Sequence, residues 1–170
     1  WKNRNESGKP AMRSTEKTVI DLGLTPIKPF SRGVTGIFSD SRSVQPGALF
    51  AALAGVQVHG ANFIPQALQN GAKSVLTDTE GYKIAQTLIK DKSIGVVVVQ
   101  DPRAALAAAA ALWFEKQPAS MVAITGTNGK TSVASFCRQI WTELEISAVN
   151  IGTTGVEGAW NGPLSHTTPD

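Results

Sequence analysis

The chain of 170 residues is 42% hydrophobic and 17% charged, a composition typical of a soluble globular protein with enough apolar side chains for a core. Its net charge of +3 lies in residues 1–17, since basic and acidic residues balance over the rest of the chain. The basic balance is therefore a local property and is poor evidence for nucleic-acid binding.

No apolar secretory segment follows the basic start, and the longest apolar run, Ala104 to Phe114, is about half the length of a membrane-spanning helix. Cys137 is the only cysteine, which excludes an internal disulfide and fits a reducing compartment. We expect it to be a small buried residue of a helix rather than a catalytic thiol. The sequence thus predicts a cytoplasmic protein without membrane insertion.

Residues 1–15 are polar and lack apolar periodicity, so we expect a disordered tail there. After this tail, apolar runs that predict strands alternate with helical patterns. The predicted strands are 34–39, 48–53, 73–77 and 94–99, the last of which is β-branched and expected to be buried on both faces. The predicted helices are 62–70, 80–90 and an alanine-rich segment that follows the N-cap Asp101 and runs to Trp113. This alternation predicts a small α/β domain over residues 16–117.

A second domain is expected after the linker Gln117-Pro118. An apolar strand at 122–124 leads into a glycine-rich loop and a helix, and a further strand is predicted at 147–151. This order is typical of a phosphate-loop ATPase domain with a mostly parallel sheet, and residues 118–170 would hold its truncated start. The chain begins at Trp1 rather than Met and stops at Asp170, and we expect a fragment of a longer enzyme.

The glycine-rich loop carries the strongest chemical signal. Gly126 and Gly129 lack a Cβ atom, so the backbone can adopt positive φ and bring its N–H groups close to phosphate oxygens. Lys130 supplies a cation for the outer phosphates of ATP, and the Thr131 hydroxyl can complete the ligand shell of Mg²⁺. Ile124 stands where the general phosphate-loop pattern has its first glycine, so this loop is a tighter variant. The predicted ATP contacts are Gly126, Thr127, Asn128, Gly129, Lys130, Thr131 and Ser132.

Three motifs, in this order, resemble one family. The first is Ser39-Asp40-Ser41-Arg42 with the segments 44–53 and 55–60, the second is the loop 125–132, and the third is His166-Thr167-Thr168-Pro169-Asp170. Together they resemble the Mur ligases of peptidoglycan synthesis. Within that family they are most similar to the branch that adds a third residue, meso-diaminopimelate or lysine, to UDP-N-acetylmuramoyl-L-alanyl-D-glutamate. The loop by itself is shared with folylpolyglutamate and cyanophycin synthetases.

The resemblance implies an N-terminal domain that binds the UDP end of the substrate, a central ATPase domain and a C-terminal domain for the incoming amino acid. Carried over by position, the uridine contacts would be Ser39, Ser41, Val56, Gln57 and Val58. The muramoyl-peptide contacts would be His166, Thr167 and Thr168. For Arg42 a diphosphate contact and a structural salt bridge both remain open, and Asp40 is interpreted as a turn or capping residue.

The resemblance also implies an ATP-dependent amide ligase that works through an acyl phosphate. Lys130 and Thr131 would be its catalytic residues and Thr131 a Mg²⁺ ligand. The sequence around Thr131 and around Arg138 resembles the Gram-negative branch, which favours diaminopimelate. The expected partners are the UDP-muramoyl-dipeptide and the amino acid, without nucleic acid, and the protein is expected to be a monomer.

Two alternatives stay open. One is another Mur-type ligase or an enzyme similar to folylpolyglutamate synthetase, although the long α/β segment before the phosphate loop argues against the latter. The other is a UDP-sugar-binding module without activity, which is what the fragment by itself would amount to. A phosphate-loop GTPase or kinase is disfavoured, because the loop lacks the glycine spacing of those proteins.

Overall fold

Four short parallel strands organise the first part of the chain. The structure, a computed structural model, describes residues 17–162, and the chain divides into two units, Trp1–Gln117 and Pro118–Asp170. The strands of the first unit are β1 Lys17–Thr18, β2 Gly33–Val34, β3 Ile37–Phe38, β4 Leu49–Ala51, β5 Ser74–Thr77 and β6 Gly95–Val98. Its helices are α1 Ile64–Gln69, preceded by a 3-10 turn Gly60–Phe63, then α2 Thr79–Leu88 and α3 Pro102–Phe114. The expected tail, 1–15, lies outside the described residues.

The main sheet has the strand order β3-β4-β5-β6, and every pair in it is parallel. Phe38 lies opposite Phe50, and Val75 opposite Val96. The strands β1 and β2 form a separate antiparallel pair. The expectation of an α/β fold with a parallel sheet is confirmed in this unit.

Successive side chains of a strand point to opposite sides, so the strands place apolar side chains on both faces of the sheet. Both faces are covered by other parts of the chain. On one face Phe50 and Val75 pack with apolar residues of α1 and α2, such as Ile64 and Ala85. On the other face a second buried cluster includes Ala109 of α3 and residues before β2, and its members are Val19, Leu22, Leu24, Val34, Leu49, Ala51, Leu76, Val97 and Ala109. The unit therefore has two apolar cores separated by one sheet.

The strand β6 is less buried than its β-branched sequence predicts. Val97 is buried, but Val96 and Val98 are only half-buried, so the expectation of burial on both faces is wrong for this strand. The reason is its position at the end of the sheet, where Pro26 forms a β-bridge to Val97 and the Ile27 N–H donates to the Val96 carbonyl at 2.8 Å.

The helix starts follow the sequence signals. Asp101 caps α3, accepting from the backbone N–H groups of Arg103 and Ala104 at 3.0 Å each, and Pro102 occupies the first helical position. Asp78 caps α2 in the same way, through the N–H of Gly81 at 2.7 Å. These caps fix the points at which both helices leave the sheet.

Two buried hydroxyls on β5 offer a matched test of hydrogen-bond energetics. Thr77 Oγ1 donates to the Ala52 carbonyl at 2.9 Å, whereas within residues 17–162 the Ser74 hydroxyl is buried without a hydrogen-bond partner. We expect Thr77→Val to lower the free energy of unfolding by about 1 kcal/mol, and Ser74→Ala to leave it unchanged or raise it. Urea unfolding of both variants measures this, and a larger loss for Ser74→Ala would contradict it.

The second unit contains α4 Lys130–Glu143 and an antiparallel hairpin of β7 Val149–Gly152 and β8 Gly155–Gly158. The strand expected at 147–151 is thus present, but in the described residues it pairs with a hairpin partner and not in a parallel sheet. The expected strand at 122–124 is wrong, because a strand requires a paired neighbour and none of the described strands lies beside it; Val122 is exposed. In the described part of the chain, no residue of α4 is fully buried. Cys137 lies on this helix and is half-buried.

Candidate functional site

The glycine-rich loop has the backbone geometry that its sequence predicts. Gly126 has φ of 148° and Gly129 has φ of 78°, values that side-chain-bearing residues rarely adopt. A Cβ atom at Gly129 would meet nothing within 4 Å, so the backbone angle and not crowding requires glycine there. The loop can therefore turn its N–H groups toward a bound anion.

Lys130 lies over this loop. Its Nζ donates to the carbonyl oxygens of Gly126 and Thr127, the latter at 3.4 Å. The ammonium group thus lies against the loop backbone at Gly126 and Thr127. An incoming phosphate would offer the same ammonium group a charged acceptor in place of neutral carbonyls, and such hydrogen bonds are stronger.

The helix α4 begins at Lys130, with Gly129 as its N-cap. The first four N–H groups of a helix have no partner within it, and the N-terminus carries the positive end of the helix dipole. Thr131 and Ser132 lie in this first turn and are exposed, so their hydroxyls are accessible to ligand. All seven predicted ATP-binding residues are therefore consecutive around one helix start, which suits a phosphate chain.

A second cluster forms at the carboxyl edge of the parallel sheet in the first unit. Ser39 follows β3 directly and is exposed, and residues 54–59, which we term the edge loop, follow β4. A β-bridge between Ala54 and His59 closes the base of this loop. Carboxyl edges of parallel sheets are the usual ligand-binding edge of α/β folds.

The three predicted uridine contacts in the edge loop are all exposed. Val56 is fully exposed and Val58 is 50% exposed, with Gln57 between them in a bend. An exposed apolar side chain at a loop tip is available for contact with a flat base. The structure thus leaves Val56, Gln57, Val58 and Ser39 accessible on the same edge of the sheet.

Ser41 is placed differently from these four residues. It is 6% exposed, its Oγ donates to Gln66 Oε1 at 2.6 Å, and its carbonyl accepts from Asn70 Nδ2 at 2.9 Å. Its side chain therefore ties the segment after β3 to α1, and its role in substrate binding stays a prediction.

Arg42 forms an ion pair with Asp40. Its Nη2 lies 2.7 Å from Asp40 Oδ2 and its Nε 2.9 Å from Oδ1, while the Arg42 backbone N–H also donates to Oδ1. These hydrogen bonds hold the pKa of the Asp40 carboxyl below its usual value, the side-chain contact being the main cause. Asp40 is therefore a turn residue, as its sequence predicts, and Arg42 is paired within the turn.

The pair formed by His59 and Asp78 was not predicted from the sequence. His59 Nε2 lies 3.1 Å from Asp78 Oδ1, and His59 Nδ1 accepts from the Ala61 N–H at 3.0 Å. The available signals were a histidine directly before Gly60 and an aspartate directly after a buried strand. Neither indicates the other, because 19 positions separate the two residues.

The carboxyl group of Asp78 should make the stability of the first unit depend on acid pH. Burial raises its pKa, but hydrogen bonds from the Gly81 N–H and from His59 outweigh burial, and the folded pKa lies below the usual 3.8. The stabilisation is therefore present above the unfolded pKa and is lost as pH falls through the folded pKa. We expect Asp78→Asn to flatten the fall of unfolding free energy as the pH is lowered below 3.8, measured by urea unfolding. Equal slopes in parent and variant would contradict this.

The predicted muramoyl-peptide contacts, His166, Thr167 and Thr168, lie outside the described residues. Among residues 17–162, no helix is both long and apolar enough to cross a membrane.

Two protein-family models match this sequence, one in each of the two units of the chain. A model of the Mur ligase family, catalytic domain, matches residues 33–114, and a model of the Mur ligase middle domain matches residues 124–170. These two matches together take up more than half of the sequence. The chain belongs to the Mur ligase family.

Two curated relatives carry the same name. The chain is 51% identical over 138 residues to the UDP-N-acetylmuramoyl-L-alanyl-D-glutamate–2,6-diaminopimelate ligase of Brucella melitensis, and 47% identical over 138 residues to that of Mesorhizobium japonicum. Each match covers 81% of this chain and 27% of the relative, so the chain spans about a quarter of their length. Among solved structures, a MurF ligase from Thermotoga maritima in complex with ADP is similar at 22% identity with a TM-score of 0.47, over 63% of this chain and 23% of that one.

Proposed function

We propose that the chain is the N-terminal part of an ATP-dependent amide ligase of peptidoglycan precursor synthesis. The reaction would add meso-diaminopimelate, or lysine, to UDP-N-acetylmuramoyl-L-alanyl-D-glutamate. The observation that carries this proposal is the loop at 126–132, where Gly126 and Gly129 have positive φ and Lys130 Nζ donates to the carbonyls of Gly126 and Thr127. The chain is also 51% identical to a ligase of that name. The same names support diaminopimelate as the added residue.

In the proposed reaction the dipeptide carboxylate attacks the γ-phosphate of ATP, giving an acyl phosphate and ADP. The amine of the added amino acid then attacks the acyl carbon, expels phosphate and forms the amide. Phosphoryl transfer depends mainly on alignment and charge neutralisation, which a lysine and oriented N–H groups provide. We assign this role to Lys130 and to the N–H groups of 126–132.

The residues at the start of α4 fit a magnesium ion bound with the nucleotide. The Thr131 hydroxyl is exposed in the first helical turn, directly after Lys130. A hydroxyl in this position would supply one of the oxygen ligands that Mg²⁺ prefers. The ion would neutralise charge on the phosphates, while Lys130 and Thr131 hold and orient them.

The carboxyl edge of the first unit is the proposed site for the UDP end of the substrate. Its support is the exposure of Ser39 and of Val56, Gln57 and Val58 on one sheet edge, where α/β folds usually bind ligands. Hydroxyl, amide and backbone groups satisfy a uracil edge without introducing charge. We further propose Ser41, His166, Thr167 and Thr168 as substrate contacts, and a cytoplasmic monomer that acts without nucleic acid or membrane insertion.

Phosphate release from ATP tests this function in a full-length protein that contains this chain. The assay includes UDP-muramoyl-dipeptide with meso-diaminopimelate or with lysine in turn. We expect release to require the dipeptide and diaminopimelate. Release with lysine only would change the assigned amino acid, and release with a folate or with another muramoyl precursor would assign a different ligase. Dipeptide binding without any phosphate release would favour a UDP-sugar-binding module.

A further inference from the structure

Two polar side chains from different elements hold the two ends of the edge loop, residues 54–59. At its first residue, the Ala54 carbonyl accepts from Arg103 Nη2 at 2.8 Å, and Arg103 belongs to the first turn of α3. At its last residue, His59 contacts Asp78, which caps α2. The three exposed residues Val56, Gln57 and Val58 lie between these two attachments.

The His59 ring is held in one orientation by hydrogen bonds to both of its nitrogens. The Ala61 N–H donates to Nδ1 at 3.0 Å, so Nδ1 carries no proton in this arrangement. The proton is therefore on Nε2, which donates to the Asp78 carboxylate at 3.1 Å. A ring bound at both nitrogens cannot rotate without losing at least one of these bonds.

The partners of the His59 ring are themselves fixed. Asp78 Oδ1 accepts from the Gly81 N–H at 2.7 Å, which holds the carboxylate at the start of α2. The ring also packs against the backbone of Gly81, since a Cβ atom there would lie 2.5 Å from His59 Cε1 and 2.0 Å from Thr77 Oγ1. His59 is 15% exposed and Asp78 21% exposed at their side chains, so water competes little for this pair.

We propose that His59 and Arg103 are positioning residues that preset the edge loop for the uridine end of a nucleotide-sugar substrate. This inference rests on the proposed function, because it assigns a role to the loop that the proposed uridine contacts occupy. A loop that is ordered before binding loses less conformational entropy on binding, and it therefore binds its ligand more tightly. Neither residue needs to touch the ligand.

The test uses His59→Ala and Arg103→Met in a full-length protein that contains this chain. The probe is UDP, titrated calorimetrically, together with the KM for the UDP-muramoyl-dipeptide, the KM for ATP and kcat. We expect each variant to raise the UDP dissociation constant and the dipeptide KM about tenfold, the effect of losing one well-formed hydrogen bond. The KM for ATP and kcat should stay within about twofold of the parent values, because the phosphate loop is untouched.

Two further variants act as controls. Lys83→Ala removes an exposed ion pair with Glu80 on α2 and should leave UDP binding unchanged. Arg103→Lys retains a charged donor on a shorter side chain, and we expect it to restore part of the affinity that Arg103→Met loses. Arg103 is exposed, so its variants test the inference even where His59→Ala does not fold.

Variants that bind UDP as tightly as the parent would overturn the positioning role and leave the proposed function intact. An equal change in kcat and in the KM for both substrates would also overturn it, since a general loss of structure acts on every step. A parent protein that does not bind UDP would overturn the proposed uridine site, and the inference with it.

Discussion

Lys130→Ala in a full-length protein that contains this chain should lower turnover by about two orders of magnitude or more, in line with the loss of one group that stabilises transition-state charge. The reason lies in the position of the side chain, whose Nζ donates to the loop carbonyls of Gly126 and Thr127 at the start of α4. Truncation removes the cation from the place where the outer phosphates would bind. Steady-state phosphate release at saturating ATP and dipeptide measures the effect.

Two comparisons make this result specific. Lys116→Ala removes an exposed lysine outside the loop and should change turnover less than about twofold. Lys130→Arg keeps the charge but replaces a compact ammonium with a larger planar group, so we expect intermediate activity. Near-normal ligation by Lys130→Ala would remove the phosphate loop from the mechanism.

Phe50→Ala should lower the free energy of unfolding by about 3 to 5 kcal/mol, the range found when a large buried side chain is truncated. Phe50 lies on β4 in the middle of the sheet, is 1% exposed, and packs in the cluster that α1 and α2 cover. The cavity left behind cannot close easily, because neighbouring strands fix the backbone on both sides. Urea unfolding of parent and variant measures the change.

Phe114→Ala is the matched control, since it removes the same atoms from a side chain that is 70% exposed at the end of α3. Its cost should be below about 0.5 kcal/mol. Equal losses for the two variants would mean that Phe50 is not part of a packed core. A large loss for Phe50→Ala and none for Phe114→Ala would support the two-sided sheet.

The sequence predicted the structure correctly where neighbouring residues by themselves determine the backbone conformation. Gly126 and Gly129 predict positive φ, and both have it. Asp101 before Pro102 predicts a capped helix start, and the cap is present. In each case the residues that determine the structure are neighbours along the chain. No distant partner is needed to define the conformation.

Prediction failed where a distant partner decides the outcome. The apolar run at 122–124 is a strand only if another strand lies beside it, and among the described residues none does. The contact of Arg103 with Ala54 joins positions 49 apart, and it becomes visible only once the strand register is known. Which residues lie together at the carboxyl edge of the sheet likewise depends on the sheet topology, and a sequence pattern does not contain that information.

The Asp78 carboxylate accepts hydrogen bonds from the first turn of α2 and from His59, and this shared acceptor has a consequence for local opening of the fold. Fraying of the first turn of α2 would also free the histidine that anchors the edge loop. The helix start and the loop should therefore behave as one cooperative unit in native-state hydrogen exchange, with similar opening free energies. The order of the edge loop, at which we propose that the substrate binds, would thus depend on the stability of α2, a helix that is distant from the loop in sequence.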